Sequence, residues 1–286
     1  MRLATLALAV WSSVAAPESR WQKVYEATGP RGWIADIRAI GRDDLFVAGE
    51  WGVTRITAHG VERHETGDRG IVRLVADGAD DVFAVGVGDV ILHFDGRSWA
   101  EEHVGPHPDR PMGSKRDLLH TVFFRSDTPR STMVAVGPEH VLERRDDGSW
   151  SAPPERERER LFLASVGDPL PAPGCHGGPW FWLGKSRAWF ACDDLRTFSY
   201  DRGTITPTGK RPASCRSLSG ATMSNGESYI ACGDGHLWAV RGQSWQPMSR
   251  PDDQSPDRDR EYGAISAAGK CVFLAGRRTV WKRCDP

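Results

Sequence analysis

The sequence predicts an all-β chain folded as a single β-propeller, and three observations predict it. A short β-prone run closed by glycine recurs along the chain. A Gly-Ser-Trp or Gly-x-Ser-Trp turn follows several copies of that run, and the two termini carry complementary pieces of the same unit. Self-similarity at roughly 40–50 residues is the signature of four-stranded blades arranged around an axis. No long stretch repeats apolar residues at the period of about 3.6 that marks a helix.

The recurring run is DDLFVAG at 43–49, DDVFAVG at 80–86, TMVAVG at 132–137, AWFACD at 188–193, SYIACG at 228–233 and CVFLAG at 271–276. Its closing residues are Gly49, Gly86, Gly137, Asp193, Gly233 and Gly276, so six blades are expected. Downstream, VILHFDGRSW at 90–99 aligns without a gap to HLWAVRGQSW at 236–245, and VLERRDDGSW at 141–150 ends the same way. Within the first of these Val90, Leu92 and Phe94 fall on one side and Ile91 and His93 on the other, the period of a strand. Trp99, Trp150 and Trp245 recur in the unit, and with Trp21 they are expected to pack between blades.

Uneven spacing locates insertions at 104–117 and 151–174, which hold proline-rich and charged segments, and a polar stretch at 250–261. The ERERER run at 155–160 is expected as a solvated edge or loop. Long loops on a rigid scaffold are where binding function usually sits, and also where insertions are tolerated.

The ends of the chain supply the closure. The last unit stops at Pro286, where other units begin a Trp-containing outer strand, and SRW at 19–21 matches RSW at 97–99. The N-terminal segment is therefore expected to supply the missing strand of the last blade, pairing the exposed sheet edges. Ahead of it, residues 1–15 carry Arg2, an apolar run from Leu3 to Trp11, and small residues at Ser13 and Ala15. That is a secretory signal peptide pattern, too short for a spanning helix, which leaves 16–286 as the propeller domain.

Composition agrees with a folded, exported chain. Of 286 residues 39% are hydrophobic and 26% charged, and 37 basic residues face 38 acidic ones. With no excess of positive charge, no nucleic-acid partner is expected. Six cysteines in an exported chain imply three disulfides. Cys175 and Cys192 are spaced like Cys215 and Cys232, one repeat apart, and Cys271 and Cys284 bracket a turn at Arg277–Arg278. The expected pairs are Cys175–Cys192, Cys215–Cys232 and Cys271–Cys284, an inter-blade link such as Cys192–Cys215 being the alternative.

The unit DDVFAVGVGDVILHFDGRSW resembles one found in exported bacterial β-propeller proteins, whose strands end in Val-Gly, then a Gly turn, then Asp-Gly and a Trp. The resemblance implies a propeller in a periplasmic or secreted setting and carries no catalytic residue with it. WD40 and kelch patterns are not matched, and the Asp-box spacing of sialidase-like propellers is not met.

Chemistry is sparser than architecture. No Gly-x-Ser-x-Gly elbow occurs. The histidine pairs His59/His64 and His103/His107 lack further ligands, so no metal or cofactor is expected. Asp43–Asp44 and Asp80–Asp81 recur before a strand, which suits turn chemistry better than a glycosidase pair. Trp33, Trp51, Trp180 and Trp182 fall outside the repeat and are the candidate ligand contacts, with Trp51, on a turn after Gly49, the first. The leading expectation is a monomeric, non-enzymatic binding module for a protein or glycan of the cell envelope or outside the cell. The alternative is an exported glycan-active hydrolase or lyase with a site at the propeller channel.

Overall fold

The computed structural model describes residues 20–28, 32–67, 69–103, 119, 121–125, 132–137, 141–158, 161, 180–182, 187–192, 194–201, 204–215, 218–222, 227–232, 235–251 and 262–285. Among them the chain forms six four-stranded antiparallel sheets. Strand β1 (Gln22–Glu26) comes first. The next sheets are β2 (Ile34–Gly41), β3 (Asp44–Gly49), β4 (Gly52–Thr57) and β5 (Gly60–Glu65), then β6 (Ile71–Gly78), β7 (Asp81–Gly86), β8 (Ile91–Phe94) and β9 (Trp99–His103). β10 (Thr121–Arg125), β11 (Thr132–Val136), β12 (Val141–Arg144) and β13 (Trp150–Ser151) form the third. β14 (Trp180–Trp182), β15 (Arg187–Ala191), β16 (Arg196–Asp201) and β17 (Thr204–Lys210) form the fourth. β18 (Leu218–Thr222), β19 (Ser228–Cys232), β20 (Leu237–Arg241) and β21 (Ser244–Pro247) form the fifth. The last contains β22 (Ala264–Ala268), β23 (Cys271–Ala275) and β24 (Thr279–Cys284), and its fourth strand is β1.

β1 pairs antiparallel with β24, Gln22 opposite Lys282 and Glu26 opposite Thr279. The expected splice of the two chain ends is thus present. First strands of successive sheets touch, from β14 through β18, β22, β2 and β6 to β10. They form the inner lining of the ring.

The recurring runs of β3, β7, β19 and β23 are buried on both faces because their sheets lie between two others. Leu45 and Val47 of β3 pack with Ala264 and Phe273 of the last sheet, while Phe46 and Ala48 pack with Leu74 and Ala84 of the second. Successive side chains point to opposite faces, so one five-residue run serves two cores. Trp99 packs beside Phe46, Trp150 beside Phe83, Trp245 beside Cys215 and Cys232, and Trp21 in the core shared by the last two sheets. All four recurring tryptophans therefore lie between sheets, as expected.

The closing glycines have a steric cause. A Cβ on Gly86 would stand 2.0 Å from the Gly70 carbonyl, and one on Gly49 2.4 Å from that of Trp33. The next residues donate backbone hydrogen bonds to those same carbonyls, Val87 to Gly70 and Glu50 to Trp33. Only glycine lets the backbones approach this closely.

Inner strands are also stitched across the junctions. The Ile265 amide donates to Ser219 Oγ, the Ala39 amide to Ser266 Oγ, and the Leu74 amide to Asp36 Oδ2. In each case a side chain of one inner strand accepts from the backbone of the next. Residues 155–158 depart from expectation. They make one helical turn in place of a loop, closed by the Arg158 amide on the Pro154 carbonyl. Among the described residues no helix is long and apolar enough to cross a membrane.

Candidate functional site

In a sheet that starts at the axis, the second-to-third turn and the outgoing fourth strand lie at one end of the ring. The three long segments 104–117, 151–174 and 250–261 each run from an outer strand to the next inner one. Their roots thus share that end with the turns after Gly49, Gly86 and Gly276. The segments themselves lie largely outside the described residues.

Trp33 stands at this end, one residue before β2, and is 50% exposed. Its carbonyl accepts from Glu50, and the neighbouring Ile34 amide donates to the Arg277 carbonyl at 2.8 Å. Gly32 matters here because a Cβ would fall 2.5 Å from the Arg278 guanidinium. An exposed indole is thereby flanked by Glu50, Arg277 and Arg278, all exposed. Tryptophan and arginine dominate binding hot spots because each offers a large flat face with donors at its edge.

The other candidate tryptophans divide. Trp51 is not exposed: it is 8% accessible, Nε1 donates to Thr54 Oγ1 at 2.9 Å, and its ring packs beside Tyr25 and under Arg63. The space left by Gly49 draws the indole inward, so its expected exposure is corrected. Trp180 and Trp182 lie in β14, opposite Phe190 and Ala188. Their side chains are outside the described residues.

The disulfides occupy both ends. Cys215, in the connection to β18, is bonded to Cys232 at the end of β19, which ties a connection to the loop-bearing end. Cys271 and Cys284 face each other in register at the opposite end and are bonded. Cys192 is disulfide-bonded, and its expected partner Cys175 lies outside the described residues.

The paired carboxylates do structural work. Asp44 accepts a bidentate pair from Arg55 at 3.0 and 2.7 Å, and Asp43 takes Lys282 at 2.6 Å. Asp81 contacts His93 Nε2 at 2.9 Å, and Glu102 lies 2.9 Å from His93 Nδ1. Glu102 also accepts both arms of Arg144 and the Trp150 Nε1–H. Burial pushes the Glu102 carboxyl up. The hydrogen bonds from Arg144 and Trp150, with the charges of Arg144 and His93, outweigh it and hold the pKa below the usual value. The network links β8, β9 and β12, and nothing in the sequence except the alternation at His93 hinted at it.

His64 stacks on Trp99, while His107 lies outside the described residues. Among the described residues no three of His, Cys, Asp and Glu gather in a way that could hold a metal.

No protein-family model matches the chain, and no curated protein matches it in sequence. Solved structures match in fold. YCF48 bound to D1 peptide is 15% identical over 95% of this chain and 99% of its own, with a TM-score of 0.53. The WD40 β-propeller domain of Doa1 is 10% identical over 93% of this chain and 97% of its own, at 0.60. A catalytically inactive virginiamycin B lyase from Staphylococcus aureus with quinupristin is 11% identical over 94% and 100%, at 0.52. At these identities the likeness is one of fold. The chain is a β-propeller.

Proposed function

We propose that this protein is an exported, non-enzymatic binding module that engages a protein or glycan partner of the cell envelope or extracellular space through its loop-bearing end. In this reading residues 1–15 are a signal peptide and 16–286 act as a monomeric propeller. The observation that carries it is the exposed indole of Trp33, set among Glu50, Arg277 and Arg278 at the end where the long connections are rooted. Disulfides at both ends of the ring suit an oxidising compartment. The propeller of YCF48 holds a peptide, an example of such a scaffold serving recognition.

The test is affinity capture with mature, disulfide-intact protein against envelope and secreted material of its own cell. A saturable partner retained by the wild type, lost on Trp33→Ala and kept by Arg42→Ala at the opposite end, is the expected result. Equal retention by both variants contradicts the reading. Release of smaller fragments in place of retention transfers the protein to the glycan-active enzyme class.

A further inference from the structure

The first two inner strands, β2 and β6, bring two guanidinium groups toward one carboxylate. Arg38 lies halfway along β2, a strand whose other residues are apolar apart from Asp36. Its Nε is fully buried and has no hydrogen-bond partner among the described residues. Among the described residues the carboxylate beside it is Asp36, whose Oδ1 accepts from Ile37 and Oδ2 from Leu74, both backbone amides. Arg73 of β6 adds a second guanidinium, reaching Asp36 only at 3.9 Å and staying half-exposed.

Two guanidinium groups thus converge at the inner face of the ring on a single carboxylate, each of whose oxygens already accepts a backbone amide. Burial pushes the Arg38 pKa down, and Arg73 adds to that effect against the pull of Asp36. A buried donor nitrogen without a hydrogen-bond partner is costly, and a guanidinium fork matches the two oxygens of a carboxylate or phosphate. We propose that Arg38 and Arg73 form an oxyanion-binding site at the inner edge of the first blade junction, taking a carboxylate or a phosphate. The site is independent of the loop-bearing end, so either can fail alone.

The experiment is thermal unfolding of the mature protein in sodium phosphate, sodium acetate or sodium chloride at matched ionic strength. Binding to the folded state raises Tm by mass action, by about 5 °C at a hundredfold excess over Kd. The expected result is a saturable rise in phosphate, acetate or both over chloride, and which salt acts identifies the source of the oxyanion. Arg38→Gln abolishes the rise, Arg73→Gln reduces it, and Trp33→Ala leaves it intact. In chloride Arg38→Gln melts at or above the wild-type temperature, because a buried donor without a partner among the described residues is gone. Equal Tm in all three salts, or a Tm loss in Arg38→Gln that is the same in every salt, overturns the proposal.

Discussion

The first and second blade junctions share one plan and differ in one cation. In both, an aspartate opens the second strand of a blade and a buried phenylalanine follows two residues later, Asp44 with Phe46 and Asp81 with Phe83. Opposite the phenylalanine in register stands Arg55 in one blade and His93 in the other. Arg55 spans the junction by itself, 5.2 Å from the Phe46 ring and equally far from Phe94 of the next blade. His93 instead stacks flat on Phe83 at 4.2 Å, and Arg144 from the third sheet supplies the cation over that ring at 5.4 Å. Arg144 needs a carboxylate, and Glu102 provides it. A short imidazole in place of a long guanidinium therefore goes with a network borrowed from the neighbouring blade. The last blade puts a covalent bond at the aspartate position, Cys271 to Cys284.

The largest effects test the shared part. Phe46→Ala and Phe83→Ala each remove a fully buried ring and should cost about 4 kcal/mol in urea unfolding. A loss under about 1 kcal/mol at either site would break the equivalence of the two junctions. Next comes the borrowed network. Glu102→Ala strands Arg144 and the Trp150 indole N–H and should cost about 3 kcal/mol. Asp44→Ala, at a carboxylate more exposed than Glu102 (23% against 13%) and with no indole N–H to strand, should cost about 1 kcal/mol.

Acid probes the second junction. The folded pKa of Glu102 is depressed, so its contribution is complete above the ordinary carboxylate range of about 4.3 and is lost as pH falls through the folded value. Melting curves of wild type and Glu102→Gln should therefore converge in acid and be furthest apart near neutrality. Arg144, raised by its hydrogen bond to Glu102, stays charged throughout that window. The smallest effect is expected from His93→Arg, which copies the first junction into the second and should change stability by less than about 1 kcal/mol.

Much of this architecture is written locally in the chain. The glycine-closed run, its alternation and the Gly-Ser-Trp turns lie within ten or twenty residues of one another, and the complementary ends announced the pairing of β1 with β24. What escaped depends on distant neighbours. Trp51 follows a turn glycine and reads as exposed, yet the partners that enclose it include Tyr25 of β1, the outer strand of the last sheet. Glu102 and Arg144 are forty-two residues apart, with no pattern to join them. Trp33 stands outside the repeat, and it is exposed. Arg38 had a local signal, a charge inside IADIRAIG, but only burial reveals that its Nε lacks a partner.

The most direct test of the account is amide hydrogen exchange on the mature protein with and without its captured partner. Protection confined to residues 32–34, 50–52 and 276–278 is the predicted result, since these surround Trp33 at the loop-bearing end. Protection at the opposite turns, residues 42–43, 79–80 and 269–270, would contradict it.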